Sequence, residues 1–271
     1  MTGTIEQAII AGVFGASFGS FLNVVAHRSV QGRSWLGLND RSICESCGHV
    51  LEAADMIPIL SWLIQRGKCR HCGAKISARY VIVEVLCALM AVMMALRWGM
   101  SWAFAISCVS SCGLVVNSLT DYESGDVFDV FALVPGVVCL LMRIAGGWLA
   151  VLDGLEGALF GWGIFAAIIL LSRGGMGWGD AVFMAGAGCA LGLRFTVFAF
   201  YAGIMAGGMW VIALLVIGRL HWGKGEAVPL VPFLAAGCFM TLIYGAEIFA
   251  WLQGRMLYPS IFSVTWPFRT Y

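Results

Sequence analysis

Four cysteines in one polar stretch are spaced as ligands of a single metal ion. The first pair is Cys44 and Cys47, the second is Cys69 and Cys72, and 21 residues separate the pairs. Two CxxC pairs at roughly this separation are typical of zinc sites, because two intervening residues let both thiolates of a pair turn onto one ion. Four thiolates leave the ion no open position. We therefore predict a structural Zn²⁺ site that holds together a loop too small to fold alone.

The residues around the four cysteines agree with this interpretation. Gly48 and Gly73 directly follow the second cysteine of each pair, where they permit a tight backbone turn. We expect His49 and His71 to be exposed neighbours, since four cysteines already complete the ligand set. The alternative is a set of free or redox-active thiols, which leaves the spacing unexplained. The other six cysteines lie in apolar runs, where cysteine behaves as a small hydrophobic residue.

Two aspartates beside apolar segments are the candidate catalytic residues. Ionisable side chains in membrane segments are costly, so they are functional candidates. Asp121 ends one apolar segment and Asp180 begins another. Two carboxylates that share a site cannot easily both ionise, so one acts as a base toward water and the other as an acid toward an amide carbonyl. From the residues alone, Glu123, Asp126 and Asp129 compete with Asp121 for this role.

A glycine-rich run precedes Asp180 and contains Gly174, Gly175, Gly177 and Gly179. Missing side chains beside the acid predict that an extended peptide backbone approaches Gly177 and Gly179 closely. A flexible loop with close helix packing is the alternative. We find no GxSxG or HExxH motif in a suitable place for a serine or zinc hydrolase.

The composition indicates that membrane helices position these residues. Hydrophobic residues make up 61% of the 271 positions, charged residues make up 11%, and mean hydropathy is +0.90. A soluble domain is about half apolar and about a quarter charged, so this chain cannot cover a soluble surface. We predict an all-α polytopic membrane protein with about eight transmembrane helices, at residues 5–26, 80–97, 101–119, 127–145, 152–172, 180–193, 195–218 and 229–252. The sixth is short and rich in glycine and alanine, so we expect it to pack among other helices.

The distribution of basic residues predicts the orientation. With eight spans, one side of the membrane collects eleven of the sixteen Lys and Arg residues, eight of them in residues 28–79. The positive-inside rule then places the cysteine loop, Asp121 and Asp180 at the cytoplasmic face. The predicted segments are a first transmembrane helix (1–27), a cytoplasmic zinc-binding loop (28–79) and a transmembrane bundle (80–271). Membrane lipids are the expected surroundings, and a net charge of +1 gives no indication of a nucleic-acid partner.

Several motifs together resemble a known family, the type IV prepilin peptidases, which are aspartic proteases of the GxGD type. The resemblance extends from about Gly12 to Gly237. It is carried by GSFLNVVAHR (19–28), the two CxxC pairs, DMIPILSWL (55–63), RGKCRHCGAKISARYVIVE (66–84), TDYESGDVFD (120–129), GWGD (177–180) and PLVPFLAAG (229–237).

The resemblance implies a function and resolves the choice among the acids. It assigns the catalytic roles to Asp121 and Asp180. It implies a bacterial inner-membrane enzyme that cuts prepilins of type IV pili, or pseudopilins of type II secretion, after the glycine that ends a short basic leader. It also implies N-methylation of the new amino terminus with S-adenosylmethionine. The sequence has no GxGxxG after a strand, and the 52-residue loop is too short for a Rossmann domain, so a methyl-donor pocket would be built on the membrane bundle.

The sequence departs from the family pattern near the acids. Val182 stands where a lysine is common, Val127 and Phe128 replace the usual Ile-Pro, and Val81 replaces a proline. None of these changes removes a catalytic group, so they bear on specificity and not on reaction type. A proton-coupled transporter that uses Asp121 and Asp180 as a relay is the alternative, and it predicts inverted repeats that the sequence does not display. A membrane scaffold that docks a partner through the zinc loop would leave the GxGD motif without a purpose.

Overall fold

The computed structural model describes residues 4–35, 41–172, 176–219 and 228–255, and all elements named below lie in these ranges. This part of the chain is helical, with isolated β-bridges and no β-strand. Its helices are α1 (Ile5–Val30), α2 (Leu60–Ile64), α3 (Ala78–Trp98), α4 (Trp102–Ser124), α5 (Asp129–Met142), α6 (Trp148–Leu171), α7 (Trp178–Leu191), α8 (Leu193–Val216) and α9 (Val231–Arg255). Short 3₁₀ turns occupy Ala53–Met56 and Arg143–Gly146.

Seven helices of the described residues are long and apolar enough to cross a membrane, namely α1, α3, α4, α5 with its 3₁₀ turn, α6, α8 and α9. The remaining predicted span corresponds to α7, which has 14 residues. A helix of that length reaches about 21 Å, which is short of a hydrocarbon core of about 30 Å. The prediction of an all-α polytopic membrane protein is thus confirmed, with seven helices of spanning length and one shorter helix.

The chain folds into two compact units, residues 1–104 and residues 105–271. In the first unit, α1 packs along α3. Gly15 and Gly19 of α1 lie on this contact, and a Cβ added at Gly15 would come within 2.6 Å of the Cys87 carbonyl oxygen of α3. Small residues let two helix backbones approach closely, which suits helices that gain little from burying apolar surface in lipid. The cysteine loop connects the two helices of this pair.

In the second unit, α7 is enclosed by neighbouring helices. It packs against α5 and α6, while α8 packs against α9. A Cβ added to Gly136 of α5 would lie 2.8 Å from the Gly186 backbone of α7, and one added to Gly157 of α6 would lie 2.6 Å from the Gly188 carbonyl oxygen. Eight of the 14 residues of α7 are buried. The expectation that the short helix packs among others is therefore confirmed.

A buried arginine ties together the helix ends at the far end of α7 from Asp180. Arg143 is 1% exposed and donates to the carbonyl oxygens of Ala150 (2.7 Å) and Ala190 (2.8 Å). It also forms a salt bridge with Asp153, whose other oxygen accepts from the amide of Leu193 at 3.1 Å. Helix ends leave backbone groups unpaired, and this arginine pairs the Ala190 carbonyl at the end of α7. Together these contacts join the 3₁₀ turn after α5 to α6, to the end of α7 and to the start of α8.

Candidate functional site

The four cysteines of the loop converge on one point. The sulfur atoms of Cys44, Cys47, Cys69 and Cys72 all lie within 4.8 Å of one another. The Cys44 and Cys72 sulfurs are 3.9 Å apart. In a tetrahedral site with Zn–S distances of about 2.3 Å, two sulfurs lie about 3.8 Å apart. The donor atoms therefore fit a tetrahedral zinc ion.

Both cysteine pairs have the same backbone geometry. The amide of Cys44 donates to the carbonyl of His49, and the amide of Cys69 donates to that of Ala74, each at 2.8 Å. Gly48 and Gly73 have a φ of +71° and nothing within 4 Å of where a Cβ would stand. Because L-residues with side chains rarely adopt this conformation, both glycines are required by the backbone and not by packing. The loop therefore holds two equivalent turns, here called the first knuckle (residues 44–49) and the second knuckle (residues 69–74).

The thiols of this cluster influence one another. Hydrogen bonds with the backbone of Cys47 and Ser46 lower the pKa of the Cys44 thiol to about 7. A hydrogen bond with the backbone of Ala74 lowers the pKa of Cys72, but desolvation and the neighbouring thiols outweigh it and raise this pKa to about 11. The Cys44 thiolate therefore forms readily, while ionisation of Cys72 is opposed. A bound divalent cation removes this opposition, as expected for a cluster of metal ligands.

One expectation for this loop is wrong. His71 is exposed as predicted, but His49 is half-buried. Its ring lies 3.5 Å from the ring of His71, and among the described residues its shielded Nε2 has no hydrogen-bond partner. The two knuckles pack face to face, which brings the rings together and removes His49 from solvent. The sequence could not show this contact between residues 22 positions apart.

The loop is anchored to α3 by Glu84. This side chain is buried, and its Oε2 accepts a hydrogen bond of 2.7 Å from the backbone amide of Ile59. Ile59 has a φ of +65°, which is strained for a β-branched residue. Within the loop, Asp55 pairs with Arg70 at 3.2 Å and accepts from Gln65 at 2.8 Å. These contacts fix the segment before the second knuckle on the helix pair.

Asp121 lies at the end of α4 and faces the start of α9. The residue is 9% exposed, and its Oδ2 accepts a hydrogen bond of 2.9 Å from the amide of Val231, the first residue of α9. The amide of Leu230 also interacts with it. Amide groups at a helix start favour a negative charge. Pro232 occupies the next position, where its missing amide costs nothing.

The other acids that competed with Asp121 differ in burial. Asp126 and Asp129 are exposed, and Glu123 is half-buried in the last turn of α4. Asp121 is thus the one buried acid of this group in the described part of the chain. Burial therefore distinguishes Asp121 from the three nearby acids, a distinction that the residue types alone did not provide.

Asp180 lies in the first turn of α7 and is half-buried. The carboxyl groups of Asp121 and Asp180 are close enough to act electrostatically on each other. Among the described residues, no hydrogen bond to the Asp180 carboxyl is formed. The fold therefore brings together two acids that are 59 positions apart. The Asp121 carboxyl accepts a backbone hydrogen bond, whereas the Asp180 carboxyl accepts none from the described residues.

A series of contacts connects α4, which carries Asp121, to the start of α7, which carries Asp180. Asn117, one turn before Asp121 and fully buried, accepts a hydrogen bond of 3.1 Å at Oδ1 from the Phe128 amide. Its amide group donates to the Gly113 carbonyl at 3.2 Å. This fixes Val127, and a Cβ added to Gly179 would lie 2.6 Å from the Val127 Cβ. The sequence alone did not single out Asn117. Its only signal there is a polar residue after an apolar run, one helical turn before Asp121.

The two glycines nearest Asp180, Gly177 and Gly179, have different surroundings. Gly179 packs against Val127 and leaves no room for a Cβ, which matches the alternative of close helix packing. Gly177 caps α7 with an extended backbone (φ −76°, ψ 146°) and is exposed. A Cβ added to Gly177 would lie 4.0 Å from its nearest neighbour, the Gly179 amide nitrogen. Gly174 and Gly175 lie outside the described residues. Approach of a peptide backbone at Gly177 and Gly179 stays a prediction.

Two segments of the sequence match the models of known protein families. Residues 13–98 match the bacterial peptidase A24 N-terminal domain, and residues 108–212 match the type IV leader peptidase family. The chain is 31% identical to the prepilin leader peptidase/N-methyltransferase of Aeromonas hydrophila, over 90% of this chain and 93% of that protein. This chain belongs to the type IV leader peptidase family.

Other relatives of the family have the same description. The prepilin leader peptidase/N-methyltransferase of Bacillus subtilis (strain 168) is 30% identical over 87% of this chain and 94% of its own length. That of Pseudomonas putida is 31% identical over 89% and 92%. No solved structure matches the chain. The two family matches fall within the two compact units. Together with the seven apolar helices found among the described residues, they make this a multi-pass inner-membrane protein.

Proposed function

We propose that the chain is a membrane aspartic endopeptidase that removes the basic leader of type IV prepilins or of type II secretion pseudopilins. Cleavage follows the glycine that ends the leader and takes place at the cytoplasmic face. The enzyme then N-methylates the new amino terminus. Family membership over about nine-tenths of the chain supports this substrate class. The observation that carries the chemistry is that the Asp121 carboxyl, which accepts a hydrogen bond from the Val231 amide, acts electrostatically on the Asp180 carboxyl.

The surroundings of the two acids support different roles for them. Asp121 accepts a hydrogen bond from the start of α9, which stabilises its charged form. Asp180 has no such donor among the described residues and faces the charge of Asp121. Since neighbouring carboxyls share one proton, Asp180 is the acid that holds it and Asp121 is the base.

Hydrolysis then follows from these roles. Asp121 takes a proton from a water molecule, and the resulting hydroxide attacks the carbon of the scissile amide. Asp180 donates its proton to the carbonyl oxygen, so charge does not accumulate there. On collapse of the resulting gem-diol, Asp121 gives its proton to the leaving nitrogen, and one hydroxyl group of the gem-diol returns a proton to Asp180, which restores both acids. The exposed, extended backbone at Gly177 supports the binding of an extended substrate beside Asp180.

The four cysteines serve stability in this proposal. Cys44, Cys47, Cys69 and Cys72 hold Zn²⁺, which fixes the loop and does no chemistry. S-adenosylmethionine supplies the methyl group. The excess of Lys and Arg in residues 28–79 supports a cytoplasmic location for the loop.

Cleavage of a prepilin by the purified, reconstituted protein tests the proposal. We expect Asp121→Asn and Asp180→Asn each to lower kcat by about 10²–10⁴-fold, since each removes a general acid or base. Asp126→Asn is the matched control, because this exposed acid lies in the same loop. Mass spectrometry of the product reports the cleavage position and, with S-adenosylmethionine present, the added methyl group.

The outcomes of this experiment separate the alternatives. Full cleavage by either Asn variant would eliminate the acid pair. Absence of cleavage by the wild-type protein, with proton-driven uptake that both Asn variants lose, would favour a transporter. The unfolding temperature of each variant in detergent must match that of wild type, so that inactivity reports chemistry and not misfolding.

A further inference from the structure

The segment from residue 56 to residue 64, here called the apolar segment, exposes an unusual number of large hydrophobic side chains for part of a polar loop. Met56, Ile57, Leu60 and Leu63 are about half exposed, and Ile64 is 78% exposed. The segment lies between the two knuckles of the cysteine loop and contains α2. Contiguous exposed apolar surface marks a site of contact with a partner or a membrane.

Inward contacts hold the apolar segment in a fixed orientation. The indole of Trp62 packs on Gly67 and donates to the Ile76 carbonyl at 3.3 Å. Gln65 donates to Asp55 at 2.8 Å. The remaining side of α2 carries Leu60, Leu63 and Ile64. The segment is therefore held against the loop by Trp62 and exposes Leu60, Leu63 and Ile64.

The bond between Ile59 and Glu84 sets the depth of the apolar segment. The helix α3 has 21 residues, a length of about 31 Å, which nearly equals a hydrocarbon core of about 30 Å. Glu84 is the seventh residue of α3, so its Cα lies about 9 Å along the helix from Ala78. The Ile59 amide is 2.7 Å from the Glu84 carboxylate. Residue 59 therefore lies within the span of α3 and not beyond its end.

Positive charge follows directly after the apolar segment. Arg66, Lys68 and Lys75 are exposed and belong to the same loop. Apolar side chains next to basic residues, at the end of a spanning helix, match the boundary between acyl chains and anionic headgroups. The lipid-facing surface of α3 continues into this region, since Ile82 and Leu86 are also about half exposed.

We propose that the apolar segment is an interfacial membrane anchor. Leu60, Leu63 and Ile64 insert among the acyl chains, while Arg66, Lys68 and Lys75 contact anionic lipid headgroups. The anchor fixes the metal loop against the bilayer at the ends of α1 and α3. It is independent of the proposed activity, because exposure, depth and charge within residues 1–104 support it without reference to the acid pair.

Photocrosslinking in lipid vesicles tests the anchor. The full chain with Ile64→p-benzoylphenylalanine is reconstituted in phosphatidylglycerol and phosphatidylcholine, irradiated, and analysed for lipid adducts by mass spectrometry. Leu86→p-benzoylphenylalanine on α3 is the positive control, and Ile43→p-benzoylphenylalanine beside the first knuckle is the comparison, since its side chain is 46% exposed. We expect position 64 to give lipid adducts as position 86 does, and roughly ten times more than position 43, because acyl chains surround only the anchored side.

Other outcomes overturn the proposal. If position 64 reacts only with peptides of this chain or of a second copy, the apolar segment contacts protein and is not an anchor. Equal lipid adducts at positions 43 and 64 would mean that the label reports general proximity. Replacing phosphatidylglycerol by phosphatidylcholine should lower the yield several-fold at position 64 and leave position 86 unchanged; equal yields would remove the role of the basic residues. Leu63→p-benzoylphenylalanine repeats the test if the Ile64 variant does not fold.

Discussion

The cysteine loop and the acid pair are polar sites built in opposite ways. The loop brings its four cysteines together with two copies of one short knuckle, and each knuckle closes with hydrogen bonds between residues at most five positions apart. The acid pair draws on α4, α7 and α9, and its central hydrogen bond joins residues 110 positions apart. The first site depends on local backbone geometry, while the second depends on how helices pack.

This difference predicts how each site responds to change. A local site tolerates change elsewhere but fails when one of its own residues is replaced. A site assembled by packing fails when distant contacts are altered, even where the acids are intact. Four substitutions test this contrast, two at each kind of site.

The largest effect is expected from Cys69→Ser, which removes the buried thiol of the proposed zinc site. Structural zinc in small domains contributes on the order of 10–16 kcal/mol in apparent terms, so loss of one thiolate should release the metal and unfold the loop. Elemental analysis should find about one zinc ion per chain in wild type and far less in the variant. Cys108→Ser, in α4, is the control and should retain zinc. Zinc retention by Cys69→Ser would contradict the site.

The next largest effect is expected from Arg143→Met at the far end of α7. Breaking a buried ion pair costs about 3–5 kcal/mol, because Asp153 is left without its partner. Unfolding temperature and prepilin cleavage should both fall, while zinc content stays unchanged. Arg143→Met combined with Asp153→Leu should recover much of the stability. Normal stability and cleavage in the single variant would show that the Arg143 salt bridge does not support α7.

A smaller effect is expected from Gly186→Ala, which adds one methyl group between α5 and α7. The new Cβ would overlap the Ala132 carbonyl, and such overpacking costs about 1–3 kcal/mol. Gly163→Ala in α6 is the matched control, since nothing lies within 4 Å of its Cβ position. The control should be neutral or more stable by up to about 1 kcal/mol, because alanine favours helix. Equal unfolding temperatures for the two variants would refute close packing of α7.

The smallest effect is expected from Gly73→Ala in the second knuckle. Its φ of +71° disfavours any side chain, at about 1–2 kcal/mol, and the surrounding space is open. Zinc affinity in a chelator competition should therefore fall by about 5–30-fold. Gly73→Asn should fall less, because asparagine adopts this conformation more readily. An unchanged affinity for the alanine variant would show that the turn relaxes without cost.

Local patterns in the sequence predicted the loop well. The clustering of the four cysteines, the turns at the glycines that follow them and the helical segments could be predicted from spacing, backbone requirements and hydropathy, all of which act over short stretches. The exposure of His49 was predicted wrongly, because it depends on how one knuckle packs against the other.

The sequence by itself determined a polytopic helical membrane protein, a four-cysteine cluster and two candidate acids, because composition and spacing are properties of short segments. Only the tertiary structure decided that Asp121 is the buried acid of its group and rests on the start of α9. It alone revealed Asn117 behind that acid and the Arg143 salt bridge at the far end of α7. These contacts join residues far apart in the chain, and they exist only once the helices pack side by side.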